Sequence, residues 1–267
     1  ALSHSAIVTE KRGAFKSWTI LLAILTFSFS LLGTFIVRSG ILTSVHAFAV
    51  DPARGVYIIA LLAITIGGSL TLYAFRAPKM EPGGLFSPIS REGGLLINNL
   101  LLGLATAVVL FGTLYPLFLE ALTGDKISVG PPFFNSAFLP IALPLLIIMA
   151  IGPFLSWKRA DLPGVVQRVK WVLALSVLAL LVVWYLQTGG PVLAIVSVWV
   201  AFWLLFATLR EWALRIKLGQ EPLRDSLARM RRMPRASHGM TLAHLGLAVV
   251  MLGMIGSSAW KSEEVLF

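Results

Sequence analysis

Four histidines and no cysteine set the limits of the chemistry open to this 267-residue chain. Without thiols there are no disulfides, thiolate metal sites or redox-active cysteines, so any redox chemistry belongs to a cofactor held by other donors. The imidazoles of His4, His46, His238 and His244 are the candidate donors. No residue stands out as a general acid or base, and catalytic residues are left unassigned.

The elements that must position these histidines are membrane spans. Hydrophobic residues make up 57% of the chain and charged residues 13%, with a mean hydropathy of +0.87, which excludes a soluble domain of ordinary composition. A bilayer core of roughly 30 Å needs about 20 apolar residues per helix. Seven stretches qualify: Ser17–Val37, Gly55–Phe75, Leu95–Leu119, Phe138–Leu155, Trp171–Leu186, Pro191–Leu209 and Gly239–Ala259. Residues 1–8, ALSHSAIV, read as the end of an eighth span, so the chain reads as a fragment of a larger protein. The expected fold is an all-α, polytopic helical bundle, with residues 1–267 forming a single transmembrane domain.

Orientation follows from Lys and Arg, which are retained on the cytoplasmic side. Segments 9–16, 76–93, 157–170 and 210–237 hold 18 of these residues, and the alternate segments 38–54, 120–137, 187–190 and 260–267 hold 4. The first set is therefore expected in the cytoplasm, and His46 on the opposite, outer side of the membrane. The net charge of +10 is then a topology signal and not a nucleic-acid footprint. The basic loop 210–237 is better explained by anchoring near anionic lipid.

Depth singles out two histidines. His4 lies six residues before Glu10, about 9 Å inside the basic edge along a helix axis, and His244 lies nine residues beyond Arg235, about 13 Å inside the same edge. Ionisable groups at such depth are functional candidates, the alternative being neutral histidines bonded to neighbouring helices. Two imidazoles at matched depth on different helices suit a bis-histidine haem b, whose iron takes one ligand from each face. His238 reads as a surface residue. Gly239, Gly246 and Gly253 recur every seven residues and permit close approach of a helix or a flat ligand.

On the other side, residues 41–50 fit a short amphipathic helix within the 38–54 loop, with His46 at its margin. Asp51 and Pro52 supply an N-cap and a first-turn proline for the next span. Arg38 and Arg54 flank His46 and suit an anionic group such as a haem propionate, or serve as interfacial anchors. Asn98 and Asn99 open another span and must find partners among helices. Pro116, Pro140, Pro144 and Pro153 mark expected bends.

The block GTFIVRSGILTSVHAFAVDPARG, preceded by SHSAIVTEKRGAFKSW and followed near the end of the chain by GMTLAHLG, resembles the CcmF/CycK cytochrome c-type biogenesis proteins, the haem lyase component of bacterial system I. The resemblance implies that His4 and His244 are the axial ligands of a stable haem b. It implies that His46 is one of two periplasmic histidines binding haem delivered by a CcmE-type chaperone. That haem is joined through thioether bonds to an apocytochrome c presented by a CcmH-type thiol-reducing subunit, with electrons supplied from quinol. The family's tryptophan-rich WWD segment and second periplasmic histidine have no counterpart here, so the resemblance implies the C-terminal portion of such a protein, inactive by itself. The rival reading is a haem b electron-transfer or haem-transport module without synthase activity. A solute transporter is disfavoured, because neither inverted repeats nor broken midplane helices are visible.

Overall fold

The computed structural model describes residues 1–39, 51–81, 83–186 and 192–260. Among them there are nine α-helices and no strand: α1 (Leu2–Arg12), α2 (Lys16–Ser39), α3 (Pro52–Arg76), α4 (Arg91–Thr123), α5 (Pro131–Ile151), α6 (Leu162–Leu186), α7 (Val192–Arg215), α8 (Leu223–Arg232) and α9 (Arg235–Ala259). All except α1 and α8 are long and apolar enough to cross a membrane, so seven spans follow the short α1. The chain is a multi-pass, all-α membrane protein.

Several helices outrun their hydropathy windows. α6 begins nine residues before the expected Trp171, because the Asp161 carboxylate accepts from Gly164 N–H at 3.1 Å and starts the helix within basic sequence. α4 runs for 33 residues through Pro116, and α5 continues through Pro140 and Pro144 before ending in a 3₁₀ turn that contains Pro153. Hydropathy marks where lipid begins, whereas capping groups mark where the helix begins. The amphipathic helix expected over 41–50 lies outside the described residues. Within the basic 210–237 segment, α8 is an additional helix that hydropathy did not signal.

Chain packing divides into two compact units, Ala1–Leu85 with Leu95–Leu139, and Phe86–Gly94 with Pro140–Phe267. In the first, α1 packs on α2, and α2 on α3. The α1–α2 corner uses left-handed backbone at Gly13 (φ 63), whose N–H closes on Thr9 O. Thr9 Oγ1 then ties the corner to Ala14 O and to Thr19 Oγ1, each at 2.9 Å. Asp51 caps α3 through Arg54 N at 3.2 Å, as its sequence position predicts, while Asp51 N–H donates to Arg38 O.

The second unit is built around α7, half of whose apolar window is buried, against none for α3. Leu146, Phe154, Val172, Trp203, Leu204 and Ala248 form its centre, and the Trp203 indole donates to Ile147 O at 3.3 Å. Contacts of this kind are decided by van der Waals fit, since lipid tails are as apolar as leucine.

Candidate functional site

His4 stands on α1, half-buried, with the buried amides of Asn98 and Asn99 on α4 beside it. Asn98 Nδ2 lies 3.0 Å from His4 Nδ1, and Asn99 Nδ2 donates to Ser5 Oγ at 2.7 Å. Two successive residues of α1 are thus held by two successive residues of α4. The expectation that this Asn pair seeks helix partners is met by both amide nitrogens, while Asn99 Oδ1 is buried without one among the described residues.

This contact occupies Nδ1 of the imidazole and is compatible with both of its tautomers. The oxygen and nitrogen of an amide have nearly the same shape, so Asn98 serves either tautomer of His4. With its nitrogen forward it donates to an unprotonated Nδ1. Turned over, it accepts from Nδ1–H, the tautomer in which Nε2 carries the lone pair. Metal-ligating histidines are characteristically fixed through their second nitrogen in this way.

His244 stands on α9 in the second unit, also half-buried. It makes no hydrogen bond to any described residue. An imidazole more than two turns inside a span with neither nitrogen paired is costly in hydrocarbon, and a ligand would remove that cost. The glycine stripe does not serve it. At about 100° per residue Gly246 lies about 160° around the helix from His244. Nothing approaches within 4 Å of a Cβ built on Gly239, Gly246 or Gly253, so no described helix uses that close approach.

His238 is engaged: Nε2 donates to Met230 O at 3.1 Å, linking α9 to α8. Arg54 pairs with Asp51 at 3.1 Å, an interaction that competes with any propionate role. Arg38 closes α2. His46 lies outside the described residues. No group of three or more His, Asp or Glu gathers to hold a metal ion among the described residues.

Two charged clusters escaped the sequence reading, both in the second unit. Glu92 is fully buried, and both its oxygens accept from Lys158 N–H, at 3.1 and 2.9 Å. Beside it Arg91 donates to Leu155 O at 2.9 Å and Pro153 O at 2.6 Å, and its guanidinium lies 5.2 Å from the centroid of Trp157. On α7, Glu211 is 8% exposed and binds Arg215, which also donates to Ser237 Oγ on α9 at 2.8 Å. The only available signal was the rarity of acidic residues at span edges.

No family model matches the chain. It is 52% identical over 266 residues to the cytochrome c-type biogenesis protein CycK of Rhizobium meliloti, covering all of this chain and 39% of that protein. It is 46% identical over 273 residues to the cytochrome c-type biogenesis protein CcmF of Pseudomonas aeruginosa, again across its full length and 40% of the relative. The chain thus spans about two-fifths of the length of the curated relatives it matches. A solved structure titled cytochrome c heme lyase CcmF shares the fold, with a TM-score of 0.65 and 24% identity over 96% of this chain and 36% of that one.

Proposed function

This chain is related along its whole length to the CycK and CcmF cytochrome c-type biogenesis proteins, and on that premise we propose that it is a membrane segment of a haem lyase acting in cytochrome c maturation. The observation that carries the site assignment is the unequal state of its two deep histidines. His4 is fixed through Nδ1 by Asn98, while His244 has no hydrogen-bond partner among the described residues. Both sit inside helices without any thiolate, and each imidazole is a donor of the type that haem b iron takes.

In this reading His4 and His244 hold haem b, which when bound supplies a one-electron carrier within the membrane. Asn98 holds the His4 ring through Nδ1, and the surrounding apolar side chains exclude water and shape the redox potential. His46 receives the cargo haem from its chaperone on the periplasmic side of the inner membrane. The thiols of a C-x-x-C-H motif on the apocytochrome then add across the two haem vinyl groups. Each addition forms one C–S and one C–H bond with no leaving group, and it requires the thiols reduced.

The test is a reduced-minus-oxidised spectrum and pyridine haemochrome assay of the purified chain beside His4→Ala and His244→Ala. A b-type, low-spin spectrum that is lost or becomes high-spin in both variants is expected. A spectrum unchanged in either variant would remove that histidine from the ligand set.

A further inference from the structure

The second unit carries a surface that the haem reading does not use. Helix α8 lies between two spans, joined to α9 by Met233 and Pro234 alone and to α7 by residues 216–222. It is therefore tethered beside the membrane edge where α7 ends and α9 begins. Three contacts fix its roll: Ser226 Oγ to Lys217 O at 3.4 Å, His238 Nε2 to Met230 O at 3.1 Å, and Arg229 Nη2 to Glu221 Oε2 at 2.9 Å.

With the roll fixed, the remaining faces have definite directions. Taking Ser226 as the protein-facing reference, Leu223 and Leu227 lie about 60° and 100° to one side, and Arg231 and Arg224 about 140° and 160°. Leu223 is 64% exposed and Leu227 43%, so an apolar strip next to the protein contact is left uncovered. The two arginines border its far edge, exposed and without an acidic partner among the described residues. Lys217 and Arg229 are matched by Glu221 on one flank, which also carries the exposed Arg232, while Arg224 and Arg231 stay unmatched beside the leucine strip.

An uncovered leucine strip bordered by free arginines, held at the edge of a membrane, matches the boundary between acyl chains and anionic headgroups. We propose that α8 is an interfacial lipid-binding helix: Leu223 and Leu227 enter the acyl boundary, and Arg224 and Arg231 bind the phosphates of anionic phospholipids. This surface fixes the level of the α7–α9 connection, and the proposal is independent of what His4 and His244 bind.

The absence of cysteine makes the test direct. A nitroxide is attached to Leu227→Cys or to Asp225→Cys, on the opposite face, and the 267-residue chain is placed in nanodiscs of phosphatidylcholine with or without phosphatidylglycerol. The label at 227 is expected to be accessible to oxygen and shielded from a water-soluble nickel chelate, and the label at 225 the reverse. Phosphatidylglycerol retained over phosphatidylcholine is expected to fall about fivefold for each of Arg224→Gln and Arg231→Gln. Circular dichroism identifies variants that keep their helicity, and either arginine variant alone suffices. Equal aqueous accessibility at 227 and 225 would overturn the proposal. Shielding at 227 without any change in lipid selectivity would overturn its headgroup part.

Discussion

Nδ2 of Asn98 lies 3.0 Å from Nδ1 of His4, across 94 residues of sequence. A second-nitrogen partner of a metal-bound histidine fixes both tautomer and ring orientation, and its loss typically costs about 10- to 100-fold in affinity. Asn98→Leu is therefore expected to lower haem affinity by that order, read by pyridine haemochrome after titration with haem. Asn98→Asp retains an acceptor for Nδ1–H and should keep the low-spin spectrum. Equal affinity in Asn98→Leu and the parent chain would reduce this contact to helix packing.

The neighbouring pair makes a separate prediction about stability. Asn99 is fully buried and donates to Ser5 Oγ at 2.7 Å, joining α4 to α1. Interhelical hydrogen bonds in bilayers average about 0.6 kcal/mol and reach about 1.7 kcal/mol, because the unfolded helices find other partners. A double-mutant cycle of Ser5→Ala and Asn99→Leu, followed by reversible unfolding in detergent, is expected to give a coupling within that range. Strict additivity would show that the two side chains act independently.

Glu92 and Lys158 are joined by side chain to backbone, not by an ion pair. Both Glu92 oxygens accept the same N–H, and the carboxylate has no exposed surface. A hydrogen bond to a charged group contributes about 1.5–3 kcal/mol. Glu92→Ala should lower the melting temperature and speed amide exchange at Lys158. Glu92→Gln, which keeps one acceptor oxygen, should do so by less. Exchange at the parent chain's rate in both variants would mean that the neighbouring backbone bonds, such as Arg91 N to Ser156 O, hold the connection alone.

What could be read from the sequence depended on whether the cause was local. Spans follow from runs of apolar side chains against a bilayer of fixed thickness, so all seven were legible, and so was the Asp51 cap, whose partner is three residues away. His4 and His244 stood out because an imidazole is expensive at their depth. The partners of the buried polar groups were not legible. Glu92 reaches 66 residues along the chain and Asn98 reaches 94, and no periodicity encodes such pairings. Helix α8 was hidden differently. Its polar composition lowers mean hydropathy, although Leu223, Leu227 and Met230 recur at helical spacing on one side.

The same helix makes the pH behaviour of the basic connection predictable. Hydrogen bonds from Lys217 and Arg229 hold the Glu221 carboxyl below its ordinary value of 4.5. A carboxylate with a depressed folded-state pKa contributes stability that is fully present above the unfolded value and is lost as pH falls through the folded one. Docking of α8 should thus be intact at neutral pH and weaken only below the usual carboxylate range. A nitroxide on Asp225→Cys should become more mobile as pH falls through that window. Glu221→Gln should be mobile at every pH, since its amide offers no charge to Lys217 or Arg229. A transition of unchanged size and midpoint in Glu221→Gln would assign the acid sensitivity to another group.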